Sequence, residues 1–153
     1  MKYLISYILF LFLFLCDRAS KWIVISSGID TYRITSWLSF DLQLNRGISW
    51  SLLHSENPWI FFWVSVGVAL VTLCVAVHAA YQWYHDKPIY GQTMVVAGSI
   101  SNILDRMMYG GVVDFIHIHV GEWSFAVFNI ADVAIVLGVC IMMLQEVWAD
   151  GKS

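Results

Sequence analysis

From about residue 59 to residue 80 the chain carries no charged side chain. A run of that kind crosses a hydrocarbon core of about 30 Å as an α-helix, which takes roughly 20 apolar residues at about 1.5 Å rise each. Pro58 suits the first turn of this helix, where a missing N–H costs nothing. Three other stretches meet the same measure: about 3–25, about 89–104 and about 125–147. The first is interrupted by Asp17-Arg18-Ala19-Ser20-Lys21, and the last carries Asn129 and Asp132 near its start. The third is short and polar, with Gly91, Gln92, Gly98, Ser99, Ser101 and Asn102, and its small residues predict a helix packed closely among the others. Charged residues make up 12% of the chain, against about 25% in soluble proteins. The fold class is therefore an α-helical integral membrane protein with four transmembrane helices, and residues 1–153 read as a single membrane-embedded domain.

The one substantial segment between spans is 26–58, and alternation of polar and apolar residues from Ser39 to Leu44 predicts a half-buried strand there. Aromatic Trp37, Phe40 and Trp50 would rest a small sheet on the lipid surface. Met1-Lys2 and the apolar run after it imitate a secretory signal. Bulky Phe14 and Leu15 before Cys16 are wrong for processing, so an uncleaved first span is expected. Cys16, Cys74 and Cys140 lie far apart in apolar runs and read as core packing residues. A net charge of −3 with no basic run excludes nucleic acid as a partner. Four spans put both termini on one side together with the loop 81–88. Lys2, Lys87 and Lys152 then oppose Arg18, Lys21, Arg33, Arg46 and Arg106, and the charge count alone favours the reverse orientation.

An unpaired acid in a spanning segment costs roughly 2.5–3.5 kcal/mol on insertion scales, which makes Asp132 a functional candidate. Asp114, between apolar neighbours in Val112-Val113-Asp114-Phe115, is the second. Asn129 and Asp132 are expected on one face of the fourth helix, about a turn inside its start, with apolar Phe125, Val127 and Phe128 arguing against a capping role for Asn129. Asn102, Asp105 and Arg106 share one face of the third helix, and Asp17 and Lys21 share one face of the first. Asp17 and Lys21 read equally well as a snorkelling pair at the interface, and Asp105 with Arg106 as a solvated cap. Asn45-Arg46-Gly47 offers donors to a ligand, although the same residues make ordinary turns.

Two carboxylates at one site share a proton near neutral pH, because ionising the second against the first is unfavourable. The ionised member can then draw a proton from water attacking a peptide carbonyl, while the protonated member serves the oxyanion and the leaving amine. Nucleophilic alternatives lack their motifs: there is no Gly-x-Ser-x-Gly elbow and no cysteine beside a histidine. His117-x-His119 could ligate a metal, with Asp114 and Glu122 as the nearest acids in sequence, but interfacial histidines and no metal site are the expectation. The competing function is a small proton-coupled membrane transporter, and a further one is a scaffold held together by its polar residues. A transporter would spread its acids through the bilayer depth, whereas these cluster toward one side.

Five motifs in order, Asp17-x-x-Ser20-Lys21, Asn45-x-Gly47-Ile48-Ser49-Trp50, Asn102-x-x-Asp105-Arg106, Val112-Val113-Asp114-Phe115 and Phe128-Asn129-x-Ala131-Asp132, resemble those of the type II (lipoprotein) signal peptidases over nearly the whole chain. The resemblance implies an intramembrane aspartyl endopeptidase of the bacterial inner membrane. It implies cleavage of signal peptides from prolipoproteins just before a diacylglyceryl-modified cysteine. Asp114 and Asp132 match the catalytic pair. Asn45, Gly47, Asn102, Arg106 and Asn129 match the polar residues around substrate and dyad, while Asp17, Lys21 and Asp105 look structural. The resemblance also implies four helices with a periplasmic β-cradle between the first and second, cytoplasmic termini, and an active site near the periplasmic face. A monomer among membrane lipids, without cofactors, is expected. Ser101 stands where the family usually has glycine. Trp50 and the 26–57 segment are candidates for a cover over the site.

Overall fold

The uncharged run forms a helix longer than the minimum span. In the computed structural model, which describes residues 2–47, 57–121 and 123–150, it extends from Pro58 to Tyr84. Asn57 caps it by accepting from Trp59 N at 2.9 Å, and Pro58 occupies its first turn. Numbered in chain order, the elements are α1 (Lys2–Ser27), β1 (Thr31–Arg33), β2 (Leu38–Asn45), α2 (Pro58–Tyr84), α3 (Tyr90–Tyr109), β3 (Val112–Val120), β4 (Trp123–Ser124) and α4 (Ile130–Asp150). Ile48, Ser49 and Trp50 lie outside the described residues, as does the rest of 48–56, so only part of the segment expected to cover the site is described.

Polarity in this bundle is the reverse of a soluble core. Among the described residues, the six largest fully buried side chains are Lys21, Val113, Asn129, Asp17, Asp105 and Ser101, of which only Val113 is apolar, whereas Leu4, Phe12, Leu15, Trp59, Leu70, Leu73 and Met143 face outward. Such a distribution suits an apolar solvent, in which polar groups must find partners inside the protein. Among the described residues, α2 and the segment 130–147 of α4 are long and apolar enough to cross a membrane. Cys74 and Cys140 lie on exposed helix faces rather than in the core, a correction explained by the same reversal.

α3 is the central helix, with Gly91, Val95, Gly98, Ser101, Asn102 and Asp105 among its buried residues. Its small residues act as predicted. A Cβ at Gly98 would lie 2.5 Å from the Ala131 carbonyl oxygen, and one at Gly91 would lie 2.7 Å from that of Gly138. α3 and α4 therefore approach backbone to backbone. α3 stops at Gly110, whose φ of 71° is the left-handed conformation that glycine tolerates.

The sheet is antiparallel with strand order β1-β2-β3-β4. β2 occupies the stretch whose alternation predicts a strand, but the cradle is not confined to the connection between the first two helices. Its other half is β3 and β4, from the connection between α3 and α4. The 112–116 stretch is apolar because it is a buried strand, and such a run lacks the alternation that marks a half-exposed one. The register pairs Asn45 with Val112 and Gln43 with Asp114, and a bulge lies between Phe40 and Gln43. The fourth helix begins at Ile130, not near 125: Phe128 N donates to Ile116 O at 3.0 Å, and Ile116 N to Phe128 O at 2.8 Å, so 125–128 runs alongside β3 before α4 starts. At the opposite end of the bundle, Tyr3 Oη donates to Asp86 Oδ1 at 2.9 Å and its ring meets that of Trp83. The start of α1 thus sits beside the α2–α3 loop, away from the sheet.

The contact at Gly98 yields a paired prediction. Gly98→Ala should lower the melting temperature in detergent, with a loss of about 1–3 kcal/mol from overpacking. Gly67→Ala on α2, where a Cβ meets nothing within 4 Å, should be neutral or stabilising through helix propensity.

Candidate active site

The sheet end of the bundle is held by a buried ion cluster. Lys21 Nζ, with 0% of its side chain exposed, donates to Asp17 Oδ2 at 2.7 Å, Asp105 Oδ2 at 2.7 Å and Asn102 Oδ1 at 2.8 Å. An ammonium has three donors, and each has found an acceptor. Arg18 closes the cluster by pairing with Asp105 and by donating to the Ser101 carbonyl at 3.2 Å and the Ser101 hydroxyl at 3.3 Å. Two aspartates and two cations thus balance within the cluster. The interfacial snorkelling pair and the solvated cap are both corrected: Asp17, Lys21 and Asp105 are 1%, 0% and 0% exposed. Each charge is compensated by the others, which is what makes burial tolerable.

Ser101 belongs to this cluster. Its hydroxyl donates to Asp17 Oδ2 at 2.6 Å, so the side chain at the usual glycine position adds a hydrogen bond without opening the helix packing. Arg18 is the member that the sequence reading did not select. Its position beside Asp17, one turn before Lys21, is a signal visible only once the neighbouring helix is known.

Asp17 also reaches α4. Its Oδ1 accepts from Ala131 N at 2.8 Å, satisfying an N–H in that helix's first turn. The adjacent N–H, Asp132 N, donates to Asn129 Oδ1 at 2.9 Å, while Asn129 N donates to Asp132 Oδ2 at 3.2 Å. This is a reciprocal capping box, so Asn129 does cap the helix, contrary to the sequence reading. The apolar residues before it are strand-like partners of β3, not a preceding helical turn.

Asn129 is fully buried and links the two acids: its backbone N–H and Oδ1 hold Asp132, and its amide nitrogen reaches Asp114. Nδ2 donates to Asp114 Oδ1 at 2.6 Å, with longer contacts of 3.3 Å to Asn102 Oδ1 and to the Val113 carbonyl. Asp114 Oδ2 accepts from Asn45 Nδ2 at 3.0 Å, and Asp132 Oδ1 accepts from Asn102 Nδ2 at 2.9 Å. The structure therefore brings together Asp114, Asp132, Asn45, Asn102 and Asn129. Burial first, and the charge of Asp132 second, raise the Asp114 carboxyl to about 7.

Gly47 and Arg106 stand next to this group. Asn45 Oδ1 accepts from Gly47 N at 2.8 Å, and Arg106 Nη2 donates to the Gly47 carbonyl. The Arg106 guanidinium lies 5.6 Å from the centre of the Phe61 ring, and among the described residues its buried Nε and Nη1 have no hydrogen-bond partner. An apolar cavity of about 1020 Å³ opens beside the acids. Ile60, Trp63 and Val64 of α2 and Val133 and Val136 of α4 line its apolar part, and Asp114, Asp132 and Arg106 its polar part.

A bundle with reversed polarity and a sheet at one end, enclosing two amide-bridged acids, defines a membrane protein built around an acid pair. The fold is shared with two solved structures of bacterial membrane enzymes, at TM-scores of 0.78 and 0.71 and identities of 21% and 22%. These cover 97% and 92% of this chain and 90% of each of theirs. The family model for signal peptidase (SPase) II matches residues 9–148. The lipoprotein signal peptidase of Buchnera aphidicola subsp. Acyrthosiphon pisum (strain 5A) is 36% identical over 137 residues, 87% of this chain and 85% of that protein. That of Brucella abortus (strain S19) is 34% identical over 134 residues, 81% of this chain and 83% of that protein. The chain belongs to the signal peptidase II family, a family of membrane proteases.

The Lys21 cluster is testable independently of chemistry. Lys21→Met leaves Asp17 and Asp105 buried without their shared counterion and should destabilise the protein by about 3–5 kcal/mol. A thermal melt in detergent measures it, and an unchanged midpoint would contradict the role given to Lys21.

Proposed function

We propose that the protein is an aspartyl endopeptidase that removes the signal peptide from diacylglyceryl-modified prolipoproteins, cutting just before the lipidated cysteine. The observation that carries this reading is the Asn129 side chain, whose Nδ2 binds Asp114 while its Oδ1 holds the first turn of α4 at Asp132. With the Asp114 carboxyl raised to about 7, the pair can hold one shared proton near neutral pH; in the proposed reaction Asp114 presents that proton and Asp132 is the base. Asp132 takes a proton from water as the oxygen attacks the scissile carbonyl. Asp114 hydrogen-bonds the developing oxyanion, and a proton from the pair passes to the departing amine as the C–N bond breaks. Asn45 and Asn102 orient the outer oxygens of the two acids. The chemistry calls for no cofactor.

The apolar cavity supports a lipid-bearing substrate. Acyl chains of a lipidated cysteine remain among the side chains of α2 and α4, while the peptide reaches the acids at the cavity's polar end. Arg106 Nε and Nη1 are placed to donate to the peptide or ester carbonyls that enter beside them. In this reading all four helices span the bacterial inner membrane of a monomer. The termini and the α2–α3 loop face the cytoplasm, and the sheet and acids lie at the periplasmic face.

Asp114→Asn and Asp132→Asn each remove an ionisable group and keep its shape. Each should lower cleavage of a diacylglyceryl-modified prolipoprotein by about 10³-fold or more while the melting temperature shows a folded protein. Full cleavage by either purified variant would exclude the pair.

A further inference from the structure

A second cluster lies farther along the same sheet and takes no part in the reaction just described. Asp41, His117 and His119 each present a ligand atom, and these three atoms all lie within 4.8 Å of one another. Sequence pointed to Asp114 or Glu122 as the acid for the two histidines. The β2–β3 pairing supplies Asp41 instead, because Ser39 is paired with His117 and the bulge begins just beyond. Glu122 lies outside the described residues.

We propose that Asp41, His117 and His119 form a binding site for a first-row divalent cation of the Zn²⁺ type. Alternate residues of β3, His117 and His119, project on one face of the sheet, and their rings stand 4.0 Å apart between centroids. His117 Nδ1 is hydrogen-bonded to Asp41 Oδ2, and Ser39 Oγ lies 2.9 Å from both Asp41 Oδ2 and His119 Nε2. The Asp41 and His117 side chains are each 17% exposed, sheltered yet open to an ion from solution. Asp41 Oδ1 is buried without a hydrogen-bond partner among the described residues, which leaves carboxylate capacity unused. Two imidazoles and a carboxylate are a familiar donor set for zinc, with water completing four-coordination.

Tetrahedral bonds of about 2.0–2.1 Å place neighbouring ligand atoms roughly 3.3–3.4 Å apart, so small side-chain rotations close the site. In closing it, the metal replaces the proton between His117 and Asp41, and the Ser39 hydroxyl becomes an outer hydrogen-bond partner of a ligand. The ion would fasten β2 to β3, the strands that carry Asn45 and Asp114. It would be a structural clamp and not the source of the attacking water.

Titration of Zn²⁺ into tag-free full-length protein in detergent at neutral pH tests the site by calorimetry, a readout independent of cleavage. One ion per chain should bind with micromolar or tighter affinity. His119→Ala and Asp41→Asn should each weaken binding by at least about 10-fold, while His78→Ala and His85→Ala on and after α2 leave it unchanged. Co²⁺ added to the unaltered protein should give the visible absorption of a four-coordinate nitrogen and oxygen site, which covers the case of a variant that fails to fold. Absence of that spectrum, binding only at millimolar Zn²⁺, or unaltered affinity in folded His119→Ala would each overturn the proposal.

Discussion

The ammonium of Lys21 is the contact on which the rest of the structure depends. Its three hydrogen bonds join α1 to two positions on α3, and through Asn102 it reaches the amide that holds Asp132. A lysine buried this completely without partners would be intolerable in an apolar surrounding. Once Asp17, Asp105 and Asn102 answer it, the same burial becomes a locating device, because any shift of α1 against α3 leaves a charge unpaired. Asp17 carries that constraint onward to the first turn of α4.

The second constraint comes from the sheet. Phe128 is fastened to Ile116 by backbone hydrogen bonds in both directions, and α4 begins two residues later. β3 therefore fixes Asp114 and the start of α4 together. Asn129 sits at that junction, using its backbone and carbonyl oxygen to begin the helix and its amide to bind Asp114. One residue type serves both purposes because an amide has a donor and an acceptor on the same rigid group. On the far side of Asp114, Asn45 arrives on β2 in the register that pairs it with Val112.

Much of this was legible in the chain. Uncharged and small-residue runs mark the helices, alternation from Ser39 marks β2, and the motif order singles out Asp114 and Asp132 as candidates. What was not legible were features set by tertiary contact. The buried strand at 112–116 has no alternation to betray it, so the pattern of the chain marks only β2 of the sheet. Asn129 looked unfit as a cap because its apolar predecessors read as helix, whereas they are bridged to β3. The placement of Asp17, Lys21 and Asp105 could not be decided from spacing, since an interfacial pair and a fully compensated buried cluster have the same i, i+4 pattern. Asp41 is 76 positions from His117 and meets it only through strand pairing.

Protonation is where geometry meets function in the proposed reaction. An acid pair in which both members were ionised at neutral pH would lack a proton donor, and one in which both were neutral would lack a base. Isotope-edited infrared spectroscopy of aspartate-labelled protein reads this state directly. The account predicts one protonated aspartic acid band at pH ~6, fading as the pH rises through about 7 and missing from Asp114→Asn. A spectrum without a protonated carboxyl at pH ~6, or a band that persists in Asp114→Asn, would contradict it.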